Sequence, residues 1–236
     1  MLDVDTDRFP AVARRLSRQF AKYRGKLDLA AYRESRRAPA VEMALSAETA
    51  VKKSGSYLLE IKRLLPMDRE EEFKMARRHE FLQRMLSHFL VLLGIAEEDA
   101  RPLLRQPSAQ IRRAIEGRKA RAGLDTVWFD ELISQFEELR NLYVEGALHL
   151  VLSTVHRYRG LGVEAADLTQ EGNASLFQAI DGFDWRRDVR FRTYAQFWVQ
   201  QAVLKVLYNH ARTVRVPIWV QKVLGKIRRV QDAGRR

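Results

Sequence analysis

Tyr194, Trp198, Gln201 and Lys205 recur at helical spacing, so at 3.6 residues per turn they fall within a narrow stripe. Two rings, an amide and an ammonium aligned in this way can stack on flat bases and hold an anionic backbone, which is what unpaired nucleic acid requires. A helix face packed into a core would also repeat at this spacing. Three features weigh against that plainer role. Gln201 and Lys205 are poor core residues. Arg186, Arg187, Arg190 and Arg192 crowd the N-terminal end of the stripe, and Ala195, Val199, Ala202 and Val206 line a different face that can supply the packing.

A second polar group stands at Asp167-Leu168-Thr169-Gln170-Glu171. Asp followed three residues later by Gln resembles a capping box, so Asp167 either caps the helix it opens or presents its carboxylate to a partner. The pattern leaves both open, and Gln170 and Glu171 project from the first turn in either case.

Other chemistries find little support. Gly160-Leu161-Gly162-Val163-Glu164-Ala165 matches a dinucleotide fingerprint in letters, but that motif needs a preceding strand and here a helical pattern precedes it. It reads as a helix-ending turn. The five histidines pair neither with one another nor with carboxylates at metal-ligand spacing, and there is no cysteine to form a disulfide or a thiolate site. With no phosphate loop and no arrangement of nucleophile and base, the chain reads as non-enzymatic, without metal or cofactor.

The elements that must position these groups are helical. Apolar periodicity of the 3.6-residue kind dominates, no segment alternates with period two, and the expected fold class is all-α. Asp68 opens a helix with Glu70, Glu71 and Glu72 in its first turn, where the helix dipole favours acids. Val144, Leu148, Val151, Leu152 and Val155 predict one helix over 142–158. The next runs from Asp167 to Asp181 and stops at Gly182. A basic connector, 183–190, leads to a helix over about 193–210, and Pro217 starts another. Residues 81–123 are less readable, and the Arg/Lys cluster from Arg112 to Arg121 reads as a solvated helix face. The N-terminal 53 residues read as helical pieces closed by a Gly/Ser break, serving either to dock a partner protein or to pack on the main domain.

Over the whole 236 residues, 42 Lys and Arg stand against 30 acids, for a net charge of +12. Such an excess favours a polyanionic partner. The longest apolar run, 89–93, is far too short to span a membrane and the acidic N-terminus is no signal peptide, so a cytoplasmic protein is expected.

Three blocks carry a specific resemblance. Asp167-Leu-Thr-Gln-Glu-Gly-Asn173 is similar to the segment DLIQEGN, Phe191-Arg-Thr-Tyr-Ala-Gln-Phe-Trp198 to KFSTYATWW, and Ala211-Arg-Thr-Val-Arg-Val-Pro217 to ARTIRIP, with matching spacing between them. The chain thereby resembles the primary-like group of the bacterial sigma-70 family. On this resemblance residues 54–80 correspond to region 1.2, 81–138 to a variable helical spacer, 139–212 to region 2 and 213–236 to the start of region 3, with 1–53 an N-terminal helical segment of no matched role. No counterpart of the region 4 helix-turn-helix follows, as in a truncated chain or an unusually short factor.

The resemblance implies a compact helical domain that binds core RNA polymerase, recognises the promoter minus-ten element and promotes strand opening. Asp167, Gln170 and Glu171 match the face that grips the coiled coil of the largest polymerase subunit. Phe183, Tyr194, Phe197 and Trp198 match aromatics that hold the flipped adenine and the edge of the open duplex on the non-template strand. Arg186, Arg187, Arg190, Lys205, Arg212 and Arg215 match backbone-contacting positions, Gln201 a base-pair reader, and Phe191 and Thr193 complete the DNA-binding set. An anti-sigma or other regulator is a further implied partner. Leu204, Ala147, Phe197, Trp219 and Lys222 depart from the family pattern, which implies relaxed promoter preference. The rival reading is a decoy or adaptor that holds polymerase or an anti-sigma partner without opening DNA.

Overall fold

The computed structural model describes residues 9–22, 29, 66–119 and 126–210, with isolated positions between 219 and 231. Among the described residues every regular element is helical: α1 (Phe9–Lys22), α2 (Arg69–Leu92), α3 (Glu97–Leu104), α4 (Ser108–Lys119), α5 (Thr126–Glu145), α6 (Leu148–Arg157), α7 (Ala165–Gly182), a 3-10 turn (Trp185–Arg187) and α8 (Phe191–His210). The fold class is all-α. None of these helices is long and apolar enough to cross a membrane.

Helix α2 begins where the sequence places it, because Asp68 and Glu71 form a reciprocal capping box. The Asp68 Oδ1 accepts from the Glu71 amide at 2.8 Å, and the Asp68 amide donates to the Glu71 carboxylate at 3.0 Å. Its inner face then buries Met75, Phe81, Leu82, Met85, Leu86 and Leu90. The single helix expected over 142–158 is two. Gly146, a weak helix former, and Ala147 close α5 with a tight Ala147-to-Val144 backbone bond of 2.8 Å, and α6 starts at Leu148. The break lets Tyr143 and Val151, both fully buried, enter one core from two directions.

Helices α7 and α8 make the most extensive packing in the domain, and both lie against α6. Gly172 permits the α6–α7 approach: a Cβ there would sit 2.7 Å from Val151 Cγ1. The turn before α7 contains Gly160 and Gly162 at φ 78° and 88°, the left-handed region that favours glycine. With a helix before it and no strand, the turn reading of that segment holds.

A buried polar cluster ties α2, α5 and α7 together. Arg140 donates to Asp181 Oδ2 at 3.1 Å and to the Leu104 carbonyl at 3.4 Å, while His79 lies 3.5 Å from Asp181 Oδ1 and stacks on Phe136. The Arg112–Arg121 cluster is not simply solvated. Arg112 donates to Ser134 Oγ on α5, and Arg118 holds the Gly94 carbonyl at 2.6 Å, so two of its cations brace α5 and the turn after α2. Nor does α1 stand apart, since Phe9 and Ala13 are buried in the common core.

Candidate nucleic-acid interface

The aromatic helix α8 sorts its side chains into rows four residues apart. Phe191, Ala195, Val199, Val203 and Leu207 form the buried row. Of the packing face expected from sequence, Ala195 and Val199 belong to it, whereas Ala202 and Val206 are only partly buried. Thr193, Phe197, Gln201 and Lys205 form an exposed row on the far side, with the Phe197 ring 62% exposed. Tyr194 and Trp198 lie between, half-buried against the core. The stripe read from sequence therefore spans two rows: rings that lean on the core, and an amide and an ammonium in solvent.

The rings form one connected group. Tyr194 and Trp198 pack edge to face at 6.1 Å, Phe183 lies 5.6 Å from Tyr194, and the Tyr194 hydroxyl donates to the Gly182 carbonyl at 3.2 Å. Phe191 is a correction. Its ring is only 1% exposed and packs on Tyr143 at 4.4 Å and on Phe183 at 5.2 Å, so it supports the aromatic group from beneath and offers no surface to DNA.

The connector between α7 and α8 is shaped by its own residues. Asp184 accepts from the Arg186 amide, opening the 3-10 turn, and Asp188 adopts φ 52°, a left-handed conformation that Asp tolerates better than most side chains. Trp185 is buried, meeting Phe9 edge to face at 5.1 Å, and its indole nitrogen donates to Glu80 at 2.8 Å.

The connector cations differ sharply in what surrounds them. Arg186 donates to both Glu80 oxygens, at 2.8 and 2.9 Å, and to Asp184 at 3.3 Å, with its guanidinium over the Trp185 and Phe9 rings. Arg190 forks onto Glu72, at 3.0 and 3.4 Å. Arg187 is 80% exposed and, among the described residues, has only a 3.5 Å contact with Asp184. Burial on its own would raise the Glu80 carboxyl, but the hydrogen bonds from Arg186 and Trp185 and the charges of Arg84 and Arg186 outweigh it, and the group lies below the ordinary carboxylate value. Nothing local in the sequence signals these pairs, whose partners are more than a hundred residues apart.

The acidic group lies at the other end of α7. The helix begins at Ala165, with Glu164 as an N-cap that makes no side-chain hydrogen bond, so Asp167 sits inside the first turn and does not cap. Asp167 and Gln170 are exposed, and Glu171 approaches Lys205 at 3.9 Å across to α8. That contact places the end of the exposed row beside the acidic turn.

Among the departing positions, Leu204 is partly buried against the core and Ala147 fully buried, while Trp219 is 70% exposed. Arg212, Arg215 and Lys222, with residues 54–65, lie outside the described residues. Among the described residues no group of three His, Asp or Glu could hold a metal ion.

Residues 143–213 match a family model described as sigma-70 region 2. Curated relatives include the RNA polymerase principal sigma factor HrdD of Streptomyces coelicolor, 39% identical over 100 residues, 42% of this chain and 30% of the relative. HrdD of Streptomyces griseus is 36% identical over 110 residues, covering 47% and 33% of the two chains. The RNA polymerase sigma factor SigA of Lactococcus lactis subsp. cremoris is 39% identical over 95 residues, 40% of this chain and 26% of that protein. The chain thus spans about a third of the length of the curated relatives it matches.

Proposed function

We propose that this chain, whose residues 143–213 match the sigma-70 region 2 model, is a sigma factor that binds core RNA polymerase and opens promoters at the minus-ten element. The observation that carries this reading is the exposed row Thr193, Phe197, Gln201 and Lys205 beside the half-buried Tyr194 and Trp198. A ring offered to solvent next to an amide and an ammonium is a platform for an unpaired base. Each stacked base is worth about 1–3 kcal/mol, comparable with the few kcal/mol that unstacking a base step costs, so opening needs no nucleotide hydrolysis.

The half-buried state of Tyr194 and Trp198 suits this role. Tyr194 packed on Phe183, and Trp198 packed on Tyr194, lose little freedom when a base arrives, and that preorganisation favours capture. Gln201, exposed on the same row, can pair with an adenine edge by two hydrogen bonds. Leu204, half-buried one turn from it, offers only apolar contact and so relaxes the preference at that base pair.

The partner surface in this reading is the first two turns of α7. Asp167 sits in the first turn, where the helix dipole favours negative charge; Asp167 and Gln170 are exposed and Glu171 is partly exposed one turn on. A basic partner such as the coiled coil of the largest polymerase subunit complements them. An anti-sigma regulator would compete for the same face.

The decisive experiment is capture of core polymerase by this chain, followed by abortive transcription from a forked minus-ten template. Capture with abortive product supports the proposal. Capture without product makes the chain an adaptor that holds polymerase, and failure of capture overturns both readings.

A further inference from the structure

Arg186 and Arg187 are adjacent, identical in type and both basic, yet the fold treats them in opposite ways. The Arg186 guanidinium is held between two acids and two rings, whereas Arg187 is largely exposed, with one weak contact among the described residues. Arg190 repeats the first situation with Glu72, whose side chain is 4% exposed. Arg69, Glu72 and Glu80 share one face of α2, and they take the connector at Asp188, Arg190 and Arg186 in turn. That face is a three-point latch, with Trp185 seated on the same Glu80.

A guanidinium carries five N–H donors, and one whose fork is filled by a carboxylate has its charge offset and fewer donors left for a phosphate. To reach one, Arg186 would have to abandon both Glu80 oxygens and leave that half-buried acid to Arg84 and the Trp185 indole alone. Arg187 would give up a single 3.5 Å contact at the surface, which is worth little.

We propose that Glu80 and Glu72 are positioning residues of the nucleic-acid interface: they hold Arg186 and Arg190 as internal struts, and phosphate contact on the connector falls to Arg187. The inference rests on the nucleic-acid reading of α8 and deepens it. The struts fix the connector, and the connector fixes Phe183 beside Tyr194. Exposed cations and committed cations thus alternate along a run that looks uniformly basic in the sequence.

The salt dependence of binding separates the two kinds of arginine, because each phosphate contact to a single strand adds about 0.7 to the slope of log affinity against log salt. The assay uses the full chain with core polymerase and a fluorescent single-stranded oligonucleotide of the non-template minus-ten strand. Arg187→Gln should make the slope shallower by about 0.7. Arg186→Gln should weaken binding at every salt concentration and leave the slope unchanged, and Arg186→Lys should recover part of that loss. Glu80→Gln should release Arg186 and steepen the slope, a gain abolished in the Glu80→Gln/Arg186→Gln pair. A slope reduced as much by Arg186→Gln as by Arg187→Gln overturns the assignment, as does a Glu80→Gln slope identical to the parent's. Thermal melts of the free chain test the latch without nucleic acid: Glu80→Gln and Arg186→Gln should each lower Tm, and the pair should fall no further than the worse single. If the parent complex binds no oligonucleotide, the proposed function fails and the phosphate assignment with it. Additive Tm losses would sink the latch itself.

Discussion

Helix α7 carries charge at both ends, and the two ends use it differently. At its start, Asp167 is exposed and Glu171 partly so, and among the described residues the only ion pair they make is the 3.9 Å approach of Glu171 to Lys205. Past its end, Arg186 and Arg190 are engaged by acids of α2, and Trp185 just before them is buried. One end therefore keeps its charge available to a partner, while the other spends most of it inside the molecule. Charge counted along a sequence does not distinguish the two; the position of the counter-charges does.

The comparison breaks most decisively at Trp185. Truncation to alanine removes a 3%-exposed ring and its contacts with Phe9, Arg77 and Arg186, and should cost about 3–5 kcal/mol in a urea titration. A loss below about 1 kcal/mol would mean that the connector is an appendage. Midway along the helix, Gly172→Ala drives a methyl group into Val151 and should cost about 1–3 kcal/mol. Adding Val151→Ala should return part of it, and no recovery would place the strain elsewhere.

Glu80→Gln should cost about 1–3 kcal/mol at neutral pH. Its carboxyl lies below the ordinary value in the folded chain, so the unfolded state binds its proton first as pH falls. The contribution is present above the ordinary carboxylate value of 4.5 and is lost as pH drops through the lower folded value. The Tm gap between parent and Glu80→Gln should close on acidification; a gap constant down to pH ~3 would show that the charge is not what stabilises. At the other end of α7, Asp167→Lys and Glu171→Lys should change stability by less than about 0.5 kcal/mol while abolishing capture of core polymerase. A destabilised Asp167→Lys would mean that this turn, too, is committed to the fold.

Much of the local architecture was legible. The helix start at Asp68, the glycine turn at 160–162 and the long helix of α8 are written in residues close in sequence, where caps and periodicity act. The family blocks pointed to region 2, which the match over 143–213 bears out. What escaped was set by distant partners. Phe191 reads like its aromatic neighbours, and only Tyr143 and Phe183 decide that it is inside. Asp167 reads like a cap, and only the actual start at Ala165 removes it from that role. The helix over 142–158 looked continuous because hydrophobic period does not register a two-residue break that keeps both halves facing the core.

The four-residue spacing of the rows on α8 has a geometric outcome for whatever lies along them. Four residues turn an α-helix by about 400°, so each row advances about 40° around the axis per step of about 6 Å. From Thr193 to Lys205 the exposed row sweeps roughly a third of a circumference over about 18 Å. A straight rod laid on this helix touches two neighbouring positions and loses the rest. A ligand that engages Phe197, Gln201 and Lys205 together must curve with the row, in the same right-handed sense as the helix. In the proposed role, a pliable single strand can follow that curve more readily than a stiff duplex can.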